Sequence, residues 1–167
     1  FAKGKFSEMK EISPTIEPAM SQDFLHVSAL DRIAWLHTGQ AYIPDGEHVW
    51  RVWCEYAIVL VARLPEACLP ESGNIAGSLV MFRTHTDEDF LHKIMVHPDM
   101  RGRRIGTQLM QTALRNTARS VLLTVDPENA AAVQLYQKFG FQIRRRIDGY
   151  YRPQEDRFLM AFEPEPA

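Results

Sequence analysis

The 167-residue sequence has little cysteine, no long apolar run and almost no excess of charge. Its two cysteines, Cys54 and Cys68, are too few for a disulfide framework or a structural zinc site, so we expect a reducing, cytoplasmic compartment. The longest apolar run covers only residues 56–62, whereas a membrane-spanning helix needs about 20 residues. A net charge of −2 argues against a dedicated nucleic-acid binder, which usually carries a basic surface.

The composition indicates one globular domain. Hydrophobic residues make up 46% of the chain and charged residues 24%, which are ordinary values for a folded protein. The first residues are polar and unpatterned, so we expect residues 1–13 to form a flexible arm or a remnant, and residues 14–167 to form a single domain.

The hydrophobic pattern predicts seven strands and four helices in the order βααβββ, then αβαββ. Short β-branched runs such as residues 58–61 favour buried strands, and apolar stripes such as Ile105, Leu109 and Ala113 favour amphipathic helices. One helical pattern is predicted to begin at Asp45. Because strands cluster and helices intervene, we expect a single mixed α/β sheet covered by helices. The predicted strands are 15–17, 58–61, 75–82, 90–96, 121–125, 141–147 and 157–162.

A basic turn with two glycines follows the predicted strand 90–96 and opens a helix. The first turn of a helix exposes unpaired N–H groups and the positive end of the helix dipole, both of which attract phosphate. The alternative interpretation is a solvated basic surface. The turn consists of Arg101, Gly102, Arg103, Arg104, Ile105, Gly106 and Thr107.

A second motif, Asn-x-x-Ala-x-x-Leu-Tyr-x-x-x-Gly-Phe, begins at Asn129. Asn129 and Tyr136 are two helical turns apart and therefore project on nearly the same side of the predicted helix. Taken alone, a tyrosine on such a stripe is more typical of core packing than of catalysis. A third segment carries two adjacent tyrosines, Tyr150 and Tyr151, between the last two predicted strands.

Taken together, these segments resemble the GCN5-related N-acetyltransferase (GNAT) superfamily over about residues 90–162. Arg101 and Gly106 match the family's Arg/Gln-x-x-Gly-x-Gly/Ala turn, whereas Arg104 replaces the first glycine. The Asn129 motif matches in full. The resemblance implies a mostly antiparallel sheet that is splayed at the cofactor strand, with helices on both faces. It also implies acetyl-CoA as co-substrate and no metal.

The resemblance further implies the roles of the site residues. The turn 102–107 would hold the pyrophosphate through its N–H groups, with charge from the three arginines, and Asn129 would contact the pantetheine arm. Tyr136 would protonate the departing thiolate; a thiol near pKa 8.5 and a tyrosine near 10 differ by about 1.5 units, or about 2 kcal/mol, which a positioned donor can supply. The backbone that would pair with the pantetheine arm is that of Ile94, Met95 and Val96.

His92 is the candidate general base. Its segment resembles the matching strand of serotonin N-acetyltransferase, where a histidine serves the substrate amine. His92 precedes Ile94 by two residues, so the two side chains face the same way unless a β-bulge intervenes. The alternative is a histidine packed at the start of a strand.

The acceptor is predicted from the end of the chain. Tyr150 and Tyr151 resemble the tyrosines that flank the peptide N-terminus in ribosomal-protein alanine N-acetyltransferases and related enzymes. That group carries a catalytic glutamate where this sequence has Thr124. Deprotonating an α-amine of pKa 7.7–8.0 at pH 7 costs about 1 kcal/mol, whereas deprotonating a lysine side chain costs about 4–5 kcal/mol. An α-amine is therefore the easier acceptor.

The leading hypothesis is therefore acetyl transfer to a peptide or protein N-terminus by direct attack in a ternary complex. The alternatives are a small amine acceptor (a polyamine, an amino acid or an aminoglycoside), a non-catalytic acetyl-CoA sensor, and a nucleic-acid module built on the basic turn. We expect the partners to be acetyl-CoA and the amine, without nucleic acid or membrane, and the protein to be a monomer or homodimer.

Overall fold

The computed structural model describes residues 13–36 and 42–165, so the predicted arm lies outside the described residues except for Ser13. The helices are α1 (Phe24–Ile33), α2 (Glu47–Tyr56), α3 (Ile105–Arg115) and α4 (Ala130–Lys138). The strands are β1 (Thr15–Pro18), β2 (Ile58–Arg63), β3 (Ile75–Arg83), β4 (Asp89–Val96), β5 (Val121–Val125), β6 (Gln142–Ile147) and β7 (Arg157–Phe162). The predicted order of elements is confirmed.

The strands form one sheet in the order β1-β2-β3-β4-β5-β7-β6. Every pairing is antiparallel except that of β4 with β5, which is parallel. This parallel pairing joins only Asp89 with Val121 and Phe90 with Leu122, after which the two strands separate. The predicted mixed sheet, mostly antiparallel and splayed at its fourth strand, is confirmed.

Helices cover both faces of the sheet, as predicted. On one face, Leu109 of α3 and Val133 of α4 belong to a core with Leu79 of β3. On the other face, Leu30 of α1 and Trp50 of α2 are fully buried in a second core. The longest described helix, α3, has 11 residues, and no described helix is long and apolar enough to cross a membrane.

Helix α2 begins at Glu47, two residues later than predicted from Asp45. The physical reason is that Asp45 makes contacts outside the helix. Its N–H donates to Asp31 Oδ2 over 2.9 Å, and its carboxylate binds Lys93 Nζ on β4. Gly46, in an extended conformation, takes the N-cap position instead.

Candidate active site

A cavity of about 520 Å³ opens where β4 and β5 separate; we name it the splay cavity. Its walls come from β4, the first turn of α3, helix α4 and the two residues that follow α1, Ala34 and Trp35. The structure thereby brings together most of the predicted site. The predicted residues that line it are Ile94, Met95, Val96, Arg101, Gly102, Arg104, Ile105, Gly106, Thr107 and Tyr136.

The turn before α3 is shaped by two residues with positive φ. Gly102 has φ 75° and Arg104 has φ 59°. Glycine adopts this left-handed region freely, whereas another residue pays about 1–2 kcal/mol, so Arg104 stands where the family's glycine would be less strained. Arg104 is the N-cap of α3, its side chain makes no capping hydrogen bond, and the first helical bond runs from Gln108 N to Arg104 O over 2.9 Å. The N–H groups of residues 105–107 therefore start the helix without helical partners.

Close packing fixes this turn against the sheet. A Cβ added at Gly77 of β3 would lie 2.8 Å from Ile105 Cγ2, so only glycine lets α3 approach this closely. A Cβ at Gly106 would lie 3.7 Å from Val96 Cγ2, which is ordinary contact. The start of α3 is thus held beside the splayed edge of β4.

The predicted arginines of the turn differ in their surroundings. The Arg101 guanidinium donates a hydrogen bond to the Ala34 carbonyl and so connects the turn to the end of α1. Arg101 and Arg104 both line the splay cavity, and no described lining residue is acidic. Arg103 lies on the same turn, but it is not among the described residues that line the cavity.

Tyr136 projects from α4 into the splay cavity and packs edge-to-face on Phe141, with 5.9 Å between the ring centroids. No described residue makes a hydrogen bond to its hydroxyl. Desolvation by burial raises the pKa of Tyr136 above its ordinary value of 10. The phenol therefore stays protonated at neutral pH, with its proton available to a group in the cavity.

A second cavity of about 760 Å³ lies beside the first; we name it the acidic cavity. It is bounded by the end of β5, the start of α4 and the connection between β6 and β7. Asp156 is fixed there, because its carboxylate accepts from Gly149 N over 3.0 Å and binds Arg146; these contacts lower the pKa of Asp156. The charged lining residues are Asp126, Glu128, Glu155, Asp156, Arg146 and Arg157.

Trp35 and Tyr136 are the described residues that line both cavities. The sequence reasoning identified Tyr136 but missed Trp35, which follows the end of α1. The Trp35 ring packs on Tyr42, with 5.0 Å between the centroids. A group in the splay cavity and a group in the acidic cavity can therefore meet where the two cavities adjoin, at these two residues.

Asn129 lines the acidic cavity and is not among the described residues of the splay cavity. Its side-chain oxygen Oδ1 accepts from Ala132 N over 3.1 Å and caps the start of α4. The cap leaves the side-chain NH₂ as the group that can donate to a ligand. Its predicted contact with the pantetheine arm stays a prediction.

His92 lies away from both cavities. On β4, Lys93 pairs with Val80 and Leu91 with Met81, so His92 is the extra residue of a β-bulge. The bulge turns His92 towards α2, where its ring lies 5.0 Å from that of Trp53 and its Nε2 lies 3.2 Å from Asp45 Oδ2. The structure does not bring His92 together with Tyr136, and its role as a base stays a prediction.

The predicted acceptor residues are not among the described residues that line either cavity, but Tyr151 lies next to the acidic cavity. Tyr150 and Tyr151 contact each other edge-to-face at 4.7 Å, and both are exposed. The Tyr151 hydroxyl lies 3.4 Å from Thr124 Oγ1, and Thr124 is part of the cavity wall.

In residues 13–36 and 42–165, no group of His, Cys, Asp and Glu has the arrangement of a metal site.

Comparisons with known proteins agree with this arrangement. The profile of the acetyltransferase (GNAT) family matches residues 29–141. An uncharacterized N-acetyltransferase of Methanocaldococcus jannaschii is 38% identical over 66 residues, which cover 37% of this chain and 29% of that relative. The matched segment thus spans less than a third of that relative's length.

Two solved structures show the same fold. The ribosomal-protein-S18-alanine N-acetyltransferase from Escherichia coli superposes with a TM-score of 0.72 and 23% identity, over 92% of this chain and 95% of that chain. The protein yncA from Salmonella typhimurium, solved with its cofactor acetyl-CoA, superposes with a TM-score of 0.66 and 19% identity, again over 92% of this chain and 95% of that chain.

Proposed function

The chain belongs to the acetyltransferase (GNAT) family, and on that premise we propose that it transfers the acetyl group of acetyl-CoA to the N-terminal α-amine of a peptide or protein. The transfer is a direct attack in a ternary complex. The observation that carries this proposal is the position of Tyr136 on the walls of both cavities.

The residues of the splay cavity fit the chemistry of acetyl-CoA. Open N–H groups at the start of α3, together with Arg101 and Arg104, suit an anionic diphosphate. The edge of β4 that faces β5 has no strand partner beyond Phe90 among the described residues, so its backbone is free to pair with the amides of the pantetheine arm. The bound thioester supplies the acetyl group, and these residues orient it towards Tyr136.

The acidic cavity suits an amine. Its lining carries four carboxylates against two arginines, so it attracts an ammonium group. None of the described lining residues of either cavity is a histidine or a lysine, so the bases available there are the carboxylates of the acidic cavity, which are weak bases and favour an acceptor that loses its proton easily. An α-amine requires about 1 kcal/mol for this step at pH 7, whereas a lysine side chain requires about 4–5 kcal/mol.

In this proposal, Tyr136 returns a proton to the leaving thiolate. Burial makes the phenol a weaker acid than free tyrosine, which by itself increases the free-energy cost of the proton transfer. The thiolate would form in the same desolvated space, however, and desolvation raises the pKa of a thiol as well. The two upward shifts therefore have opposite effects on the difference between the pKa values, which sets that cost.

A polyamine is the second candidate acceptor, because the four carboxylates of the acidic cavity would also attract a molecule with several positive charges. The two acceptors differ in what must be recognised. A peptide is recognised by its one terminal amine and by the backbone next to it, which Tyr150 and Tyr151 would flank. A polyamine is recognised only by its positive charges.

The test measures CoA release by thiol titration for a fixed panel of acceptors. The panel contains hexapeptides that begin with Ala, Ser or Met and carry one internal lysine. It also contains these peptides with acetylated N-termini, and three small amines: spermidine, free lysine and an aminoglycoside. We expect turnover with the free N-termini and none with the blocked peptides. Faster turnover with the small amines, or with the blocked lysine peptides, would refute the proposed acceptor.

A further inference from the structure

We infer that the buried Lys93 is a positioning residue for acetyl transfer, because it holds Tyr42 against Trp35 at the junction of the two cavities. This inference rests on the proposed meeting of thioester and amine between Trp35 and Tyr136. It does not depend on which amine is the acceptor.

Lys93 lies at the centre of a buried polar cluster on the face of the sheet covered by α1 and α2. Its Nζ lies 3.0 Å from both carboxylate oxygens of Asp31, and it also donates to Asp45 Oδ2 and to the Tyr42 hydroxyl, each over 2.5 Å. The Lys93 side chain is 8% exposed and that of Asp31 is not exposed at all. The β-bulge at His92 is what turns Lys93 towards α1.

The cluster gathers groups that are far apart in the chain. Asp31 Oδ2 also accepts from Trp50 Nε1 over 3.0 Å and from Asp45 N over 2.9 Å. One ammonium group thus joins β4, α1, α2 and the segment that leads into α2. A buried ion pair adds little net stability compared with apolar packing, whereas it does define a single arrangement of its groups. We therefore attribute to Lys93 the positions of these elements relative to one another.

Two contacts connect this cluster to the cavities. The Lys93 ammonium lies 4.7 Å from the centroid of the Tyr42 ring, and the Trp35 ring packs on Tyr42 at 5.0 Å. Asp31, held by Lys93, lies four residues before Trp35. Trp35 is thereby held both through its aromatic neighbour and through the helix from which it emerges, and it lines both cavities. A shift of its ring by about 1 Å is enough to lower a transfer rate strongly.

The test compares Tyr42→Ala with Tyr42→Phe. The alanine variant loses the ring that connects Lys93 with Trp35, whereas the phenylalanine variant keeps the ring and loses only the hydroxyl contact. We expect Tyr42→Ala to lower kcat/KM for the acceptor by about tenfold or more, with the Kd for acetyl-CoA changed by less than about threefold. Tyr42→Phe should lower kcat/KM by only about threefold, because its ring still packs on Trp35 although Lys93 no longer binds a hydroxyl there. The acceptor is whichever member of the panel above the wild type uses fastest.

Lys93→Met should reproduce the Tyr42→Ala kinetics if it folds. Its matched control is Arg83→Met, which removes a cation from another buried carboxylate, Asp89, at the opposite end of β4 (Arg83 Nε to Asp89 Oδ1, 3.0 Å). The control should lower the melting temperature while leaving kcat/KM for the acceptor within about twofold of the wild type. If Lys93→Met does not fold, Tyr42→Phe tests the role of Lys93, because it removes only the hydroxyl that Lys93 binds; wild-type kcat/KM in that variant would then overturn the inference.

Hydrogen exchange gives a readout that does not need turnover. We expect Tyr42→Ala, and to a smaller extent Tyr42→Phe, but not Arg83→Met, to speed exchange in the peptide covering residues 31–36. Wild-type acceptor kinetics and wild-type exchange in Tyr42→Ala would overturn the inference, as would an equal kinetic loss in the Arg83→Met control. Absence of turnover with every acceptor in the panel would instead refute the proposed function, and the exchange measurement would still test the role of Lys93.

Discussion

Trp35 and Tyr136 lie 101 positions apart in the chain, yet each lines both the splay cavity and the acidic cavity. The splay cavity is lined by two arginines and by the first N–H groups of α3, whereas the acidic cavity is lined by four carboxylates. A donor with an anionic diphosphate and an acceptor with a positive charge would therefore enter from opposite sides and meet between these two rings. This division by charge would favour binding of each substrate in its own cavity.

Replacing Tyr136 with phenylalanine tests the role of its hydroxyl. The ring would keep its contact with Phe141, so the fold and the splay cavity should persist. Without a proton donor for the leaving thiolate, we expect kcat to fall by about 10²-fold or more, with the Kd for acetyl-CoA unchanged. Steady-state CoA release and isothermal titration calorimetry measure the two quantities. An unchanged kcat would show that Tyr136 does not donate the proton.

Two substitutions of Asn129 separate its capping role from ligand binding. Asn129→Ala removes the oxygen that caps α4 and should lower the free energy of unfolding by about 1 kcal/mol. Asn129→Asp keeps a capping oxygen but loses the NH₂ group, so we expect near wild-type stability with acetyl-CoA bound severalfold more weakly. Urea denaturation and titration calorimetry provide the measurements. Equal acetyl-CoA affinity in Asn129→Asp would restrict the residue to capping.

Gly77 controls how closely α3 approaches the sheet. In Gly77→Ala the added Cβ would meet Ile105 Cγ2 at 2.8 Å and Met95 O at 3.1 Å, so either the helix or the strand must move. We expect a loss of about 1–3 kcal/mol in the free energy of unfolding, measured by urea denaturation. Gly46→Ala is the control, since a Cβ there meets nothing within 4 Å; the loss of a favourable N-cap residue and the lower entropy of the unfolded alanine variant offset each other, so stability should change by less than about 0.5 kcal/mol. Equal effects of the two substitutions would contradict the close packing of α3.

The Asp45 carboxylate makes stability depend on pH. Burial alone would raise the pKa of Asp45, but hydrogen bonds from His92 and Lys93 outweigh it and lower the pKa from 3.8 to about 2. A carboxyl group whose pKa is lower in the folded state stabilises that state above pH 4, and this contribution disappears as the pH falls towards 2. Because the Asp45 side chain is partly exposed, solvent screening reduces the contribution to about 1 kcal/mol.

The measurement for Asp45 is urea denaturation of the wild type and Asp45→Asn between pH 6 and pH 2.5. We expect the variant to be less stable by about 1 kcal/mol at pH 6, and the difference to shrink as the wild-type carboxylate becomes protonated. Asp148→Asn, at a side chain that is 84% exposed, should differ from the wild type by less than about 0.5 kcal/mol throughout. A difference that stays constant with pH in Asp45→Asn would contradict the lowered pKa.

Local patterns in the sequence were sufficient to predict the order of helices and strands and a mixed α/β sheet, whereas the antiparallel pairing and the splay were implied by the family resemblance. Apolar runs and stripes predicted each strand and helix, because burial against a sheet or a helix imposes a periodicity that neighbouring residues reveal. The site residues were implied by the family resemblance that the basic turn and the Asn129 motif carry, and most of them line the splay cavity. Even the small error at the start of α2 has a long-range cause, because Asp45 binds Asp31 and Lys93 instead of capping the helix.

The remainder of the site depends on contacts between distant residues. Lys93 and Asp31 are 62 positions apart, and no periodicity marks them as an ion pair. The side of the sheet on which the His92 side chain lies depends on a bulge in the pairing of β4 with β3. The alternation of polar and apolar residues along one strand does not reveal such a bulge. Trp35 follows the last turn of α1 and lies outside any motif, so its place between the cavities appears only in three dimensions.

The most direct measurement of the central claim is a crystal structure of the protein with CoA and a peptide that has a free N-terminus. We predict that the diphosphate lies at the N–H groups of residues 105–107, that the sulfur lies within hydrogen-bonding reach of the Tyr136 hydroxyl, and that the peptide amine enters from the acidic cavity. A diphosphate bound elsewhere, or a sulfur out of reach of Tyr136, would contradict the account.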